Sequence, residues 1–174
     1  SIVGATVTLG SSPAYDGTEK TQGVSSVKLG ETTLTASTDY EVTENKAMLP
    51  GSYTLYIIGK GSYTGVIPKA YTIGKGAGSV TASPDTLTLT EGGDAGESTL
   101  TVTGDGALSV ESSAEAVATA ALEDSTVTVT PVGDGSATVT VTLAEGVMYE
   151  GATDTISVAV EAAAEPENNE QEGT

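Results

Sequence analysis

The chain has 174 residues and contains no Cys, His, Arg, Phe or Trp. Disulfides are therefore excluded, and the usual general base, the thiol nucleophile and nearly every zinc, copper or haem ligand are missing. The formal net charge is −18: residues 1–75 hold all six Lys and six acids, whereas residues 76–174 hold the other acids and no base, a balance that repels nucleic acid and anionic membranes.

The elements read as strands throughout. Ala5–Leu9 alternates polar and apolar residues and predicts a strand, followed by turn signals at Ser11-Ser12-Pro13 and Asp16-Gly17. Val27-Lys28-Leu29 and Thr33-Leu34-Thr35 flank Gly30-Glu31 and predict a hairpin. Tyr40-Glu41-Val42 is a further strand. Pro50-Gly51 turns the chain into a strand over Tyr53–Ile58, which Gly59-Lys60-Gly61 ends. Val66–Ile73 is the last strand of this half, and Pro68 inside it marks a sheet edge or a bulge.

Residues 75–78 are a Gly-rich linker by composition. Beyond it the alternation is cleaner. Leu87 and Leu89, Leu100 and Val102, Val127 and Val129, Val139 with Val141 and Leu143, and Ile156 with Val158 and Val160 each line one face, with Thr or Ser on most of the opposite positions. Turn signals separate them at Glu91–Asp94, Gly104–Gly106, Gly133–Gly135 and Glu145-Gly146. The run Ala114–Leu122 has helical propensity, but its all-β context favours a strand at Ala116–Ala120. Several short strands with regular turns predict a β-sandwich. The stretch 162–174 is acidic, polar and without apolar periodicity, and reads as a disordered tail. The organisation expected is a β-rich module over 1–74, the linker, a sandwich over 79–161, and the tail. No apolar run of about 18 residues is present, and no basic-then-apolar leader or sortase-type anchor is recognised. Ser1 reads as a cut end, and the chain as a piece of a longer protein.

The second half resembles a known family. Ser83-Pro84 with Leu87-Thr88-Leu89, Ala116-Val117-Ala118-Thr119-Ala120, Val127 through Val141, and Tyr149 with Ile156–Val160 follow the order and spacing of bacterial immunoglobulin-like domains of group 2, found in intimin- and invasin-like adhesins and in phage virion proteins. The family often carries a Trp where Leu108-Ser109-Val110 stands here. The first half resembles a repeat of large bacterial surface proteins through Tyr15-Asp16-Gly17-Thr18, Asp39-Tyr40-Glu41-Val42, Gly51–Leu55, Ile58–Gly65 and Tyr71-Thr72-Ile73. These resemblances imply architecture: a spacer, display or adhesion module on a cell or virion surface. The partner implied is a protein or carbohydrate, not nucleic acid, and no membrane insertion is expected. Three settings fit: a bacterial surface protein, a phage capsid or tail appendage, and a non-catalytic carbohydrate-binding module of a secreted enzyme.

Sharper readings compete with turn chemistry. Gly59–Ser62 and Gly74–Gly76 are not followed by the helix that a phosphate loop needs. Asp94, Glu97, Asp105, Asp134, Glu145, Glu150 and Asp154 lie in or near loops and make calcium the strongest metal reading, yet no contiguous calcium loop is present and hairpin turns account for the Asp-Gly pairs. Glu123-Asp124 offers two carboxylates but no cleft for hydrolysis. Asn45 is adjacent to Lys46, the wrong spacing for an isopeptide staple. Tyr53, Tyr63 and Tyr71 are expected in the core, with Tyr56 out of phase and exposed to sugar or protein. No residue is assigned a catalytic, cofactor-binding or metal role, and the chain is expected not to be an enzyme.

Overall fold

A computed structural model describes residues 1–165; most of the predicted disordered tail lies outside the described residues. The fold is all-β, with no helix among the described residues. The described residues divide into two compact units: Ser1–Gly76 with Val147–Tyr149, and Ala77–Gly146 with the described residues from Glu150 on.

Unit 1 contains β1 (Thr6–Leu9), β2 (Lys20–Thr21), β3 (Val24–Leu29), β4 (Thr32–Thr33), β5 (Tyr40–Thr43), β6 (Lys46–Ala47), β7 (Gly51–Gly59) and β8 (Val66–Ile73). They form sheets β1-β3-β4 and β5-β7-β8, with β2 paired to β6. The predicted hairpin is present: Leu29 faces Thr32, and Gly30 turns the chain at φ 60°. A side chain would strain that conformation, which Gly adopts freely. β8 is an edge strand, the place Pro68 requires because it has no N–H to donate. Ile2, Val27, Leu55 and Ile57 are fully buried, joined by Tyr40, Tyr71 and Ile73. Each such apolar side chain contributes about 1.5–3 kcal/mol by leaving water. The core is aliphatic with two stacked Tyr rings, Tyr53 and Tyr71, whose centroids lie 5.5 Å apart. Tyr15 meets Tyr149 edge-on within the same unit, at 5.3 Å.

Unit 2 contains β9 (Ser79–Ser83), β10 (Thr86–Thr90), β11 (Gly96–Thr103), β12 (Leu108–Ser112), β13 (Ala118–Glu123), β14 (Thr126–Pro131), β15 (Gly135–Leu143) and β16 (Ala152–Glu161). Two four-stranded sheets, β13-β14-β11-β9 and β10-β16-β15-β12, enclose one core. Val127, Val129, Val139, Val141 and Ile156 are fully buried there. The two-residue period places them inward and turns Thr outward, as at Thr126 against Thr99 and Thr140 against Thr155. Among the described residues all ladders are antiparallel except one: β10 runs parallel to β16. The Ser83–Pro84 peptide bond between β9 and β10 is cis.

Three local expectations change. Ala114–Val117 is a turn, closed by the Val117 and Ala118 N–H groups donating to Ala114 C=O, and the strand begins later, at Ala118. Gly104–Gly106 and Gly133–Gly135 are not hairpins: β11 to β12 and β14 to β15 each cross from one sheet to the other. The tight hairpin is instead at Asp124-Ser125, with Asp124 at φ 52°.

Candidate functional site

The Gly59–Ser62 segment serves the β7–β8 turn. The Lys60 N–H donates to Asp39 C=O at 2.8 Å, and its ammonium pairs with Glu41 at 3.3 Å. Asn45 and Lys46 are likewise engaged separately. The Asn45 amide donates to Gln22 C=O at 3.1 Å, while Lys46 faces Glu19 at 3.5 Å. Glu123 is paired across the hairpin with Thr126, and Asp124 forms its turn.

The calcium candidates are distributed by topology. Gly96 pairs with Val129, so the loops bearing Asp94 and Asp134 lie at one end of the sandwich. Leu108 pairs with Leu143, so those bearing Asp105, Glu145 and Glu150 lie at the other. Glu97 stands on the outer face of β11. Asp154, on β16, accepts the Ala82 N–H at 2.8 Å. Among the described residues no group of three or more acids is placed to hold a metal ion.

In unit 1 the outer face of β5-β7-β8 carries Tyr56, 39% exposed, between Thr43 and Pro68. Ile58 and the exposed Val66 form the adjoining row. Tyr53 and Tyr63 are half-buried and Tyr71 is buried; Tyr40, not singled out by its sequence, is also buried. Alternation along Tyr40-Glu41-Val42 was the signal available for it. A shallow cleft of about 260 Å³ lies beside β8, lined by Leu9, Gly10, Ser12, Ser52, Tyr71 and Thr72 among others. Burial raises the Tyr71 hydroxyl above its ordinary range, and that hydroxyl donates to Glu44 C=O at 3.2 Å.

A buried polar cluster escaped the sequence reading. Gln22 is fully buried, and its side-chain N–H₂ donates to Gly10 C=O at 3.1 Å and Gly23 C=O at 3.0 Å. Its Oε1 has no hydrogen-bond partner among the described residues. Asp16, an exposed acid of unit 1, is strongly perturbed. The Lys20 ammonium, and then the Thr18 hydroxyl, lower its pKa to about 2.

No family model matches the sequence, and no curated protein matches it. Among solved structures the chain is similar to domains 1–6 of surface layer protein SbsC, with TM-score 0.45 and 19% identity over 85% of this chain and 24% of that one. It thus spans about a quarter of that structure's length. Domains 4 and 5 of the S-layer protein SbsC give TM-score 0.42 and 17% identity over 91% and 98% of the two chains. Fibronectin(III)-like modules of Clostridium thermocellum CbhA give TM-score 0.36 and 14% identity over 91% and 95%. The all-β assignment rests on the strands and registers themselves.

Proposed function

We propose that the chain is a non-enzymatic extracellular structural module, a spacer or display stretch of a bacterial surface protein, with residues 79–161 a bacterial immunoglobulin-like domain of group 2. One observation carries this reading: each unit closes around its own aliphatic core, and the two cores share no residue. Tandem self-contained units hold distance without needing a site. The outward Thr rows of unit 2 give it a hydrated surface with few adhesive apolar groups. The test is antibody labelling of intact source cells. Labelling without permeabilisation is expected; labelling only after lysis overturns the reading.

Exposed Tyr56 beside Pro68 favours a second reading, carbohydrate binding by unit 1. A flat aromatic ring on an open sheet stacks against a sugar face, and the Glu41–Lys60 pair on the same sheet balances its own charge. A glycan array on wild type and Tyr56→Ala decides it. Binding lost in the variant supports it, and no glycan bound by the wild type removes it.

A further inference from the structure

The parallel ladder of unit 2 has a mechanical consequence. β10 and β16 pair from Thr86 with Ser157 through Thr90 with Glu161. The bonding continues past both ends of that register: Ser157 N–H donates to Asp85 C=O, and Glu91 N–H to Glu161 C=O, each at 2.8 Å. These two bonds set the alternation. Parallel geometry then directs the Leu87 and Leu89 N–H groups to Ser157 and Ala159 C=O, and the Ala159 and Glu161 N–H groups to Leu87 and Leu89 C=O.

Tension on the unit draws β10 backward from Asp85 and β16 forward from Glu161. The strands are parallel, so these pulls act at opposite ends of the ladder and along the strand axes. All of its bonds are loaded together, and none can open ahead of the rest. β9 lies upstream of this path, so detaching it from β11 leaves the ladder intact. We propose that unit 2 is a force-bearing module, with the β10–β16 ladder as a shear clamp between its two ends. This goes beyond the spacer reading, since a spacer need only hold distance. The comparable feature of unit 1 is a single parallel bridge, Ala14 with Gly74, held by Tyr15 N–H to Gly74 C=O at 3.0 Å and Gly74 N–H to Pro13 C=O at 2.9 Å.

The test is single-molecule stretching of the full chain in two geometries. In the first, handles are at the N- and C-termini. In the second, the N-terminal handle moves to Asp94→Cys, a unique attachment because the chain has no other Cys. That handle sits at the same end of the ladder as Glu161, so the strands peel open. In the first geometry, rupture of unit 2 should release about 270 Å of chain, residues 86–161 at roughly 3.6 Å each. Its rupture force should be at least about threefold higher in the first geometry, because the hydrogen bonds break together. Ala159→Pro removes a clamp N–H and should lower the terminal-pull force. Thr88→Pro removes an N–H on the open edge of β10 and should leave that force nearly unchanged. Equal forces in the two geometries, or equal effects of the two Pro variants, overturn the clamp and leave the spacer reading standing.

Discussion

The carboxylate of Asp154, on β16, accepts the backbone N–H of Ala82, on β9, at 2.8 Å and so ties the two sheets of unit 2 together. β9 is an edge strand, and an edge leaves N–H groups without a ladder partner. Asp154→Ala should destabilise unit 2 by about 1.5–3 kcal/mol, the usual worth of a hydrogen bond to a charged group. Asp154→Asn keeps an acceptor oxygen and should lose less than half of that. Chemical denaturation of both variants checks the order; equal losses would show that packing, not the hydrogen bond, is what the carboxylate supplies.

Gln22 is the polar keystone of unit 1. Its amide donates to the Gly10 and Gly23 carbonyls, and because Gly23 C=O also accepts the Gly10 N–H at 2.9 Å, Gly10 C=O is the acceptor that relies on Gln22. Gln22→Ala should cost about 2–3 kcal/mol, combining a cavity with one unmet acceptor, Gly10 C=O. Gln22→Glu is the sharper probe. A buried carboxyl has a raised pKa, and only its protonated form can donate to Gly10 or Gly23. A raised folded-state pKa gives stability that is present below the unfolded value near 4.3 and lost as pH rises. The variant should therefore melt closer to wild type at pH 4 than at pH 7; a constant gap would contradict the donor role.

These two residues also mark where sequence reading stops. The strands of unit 2 were legible wherever Thr alternates with Val, Leu or Ile, as in Thr126–Pro131 and Gly135–Leu143. β9 and β12 were not predicted, because Ser79–Ser83 and Leu108–Ser112 have few large apolar residues to mark the period. Pairing between β10 and β16 joins residues about seventy positions apart, and local alternation has no term for that. Asp154 looked like one more acid near a loop, since nothing in Thr153-Asp154-Thr155 points to Ala82. Gln22 was silent for the same reason: its partners are carbonyls of glycines, which leave no side-chain signature. Of the candidate sites, the exposure of Tyr56 was legible from its phase against Tyr53.

The Asp16–Lys20 pair predicts a pH dependence confined to strong acid. The pKa of Asp16 is depressed from 3.8 to about 2, chiefly by the Lys20 ammonium. A depressed folded value gives a contribution that is present above 3.8 and lost as pH falls toward about 2. A carboxyl-detected NMR titration should show this midpoint, and Lys20→Ala should return it toward the ordinary value. An unmoved midpoint in the variant would assign the shift to Thr18 instead.

Separate cores predict separate folding. Fragments 1–75 and 77–162 should each give a cooperative melt, because each retains every buried apolar residue of its own cluster. If either fragment lacks a transition that the whole chain shows, the two regions depend on each other for stability.

The acids of residues 76–174 decide whether the charge is a surface or a site. No base offsets them, so they repel one another, and that repulsion is screened over about 8–10 Å at physiological salt. Acids that merely coat unit 2 should respond to sodium and calcium alike at equal ionic strength, with a smooth rise in Tm. A site would behave differently: calcium at about 100 times its Kd would add about 2.7 kcal/mol by mass action. The topology argues for the coat. Asp94 and Asp134 lie at the end of the sandwich opposite Asp105, Glu145 and Glu150, and the Asp154 carboxylate is engaged by Ala82. Calcium needs six to eight oxygens converging on one point, and among the described residues no three acids are placed to hold an ion. Thermal melts in calcium and in matched sodium should therefore coincide. Asp134→Ala and Asp105→Ala should leave that coincidence unchanged. A saturable rise with calcium alone, diminished by either substitution, would make unit 2 a metal-stiffened module and would place its ligands at the end where that substitution acts.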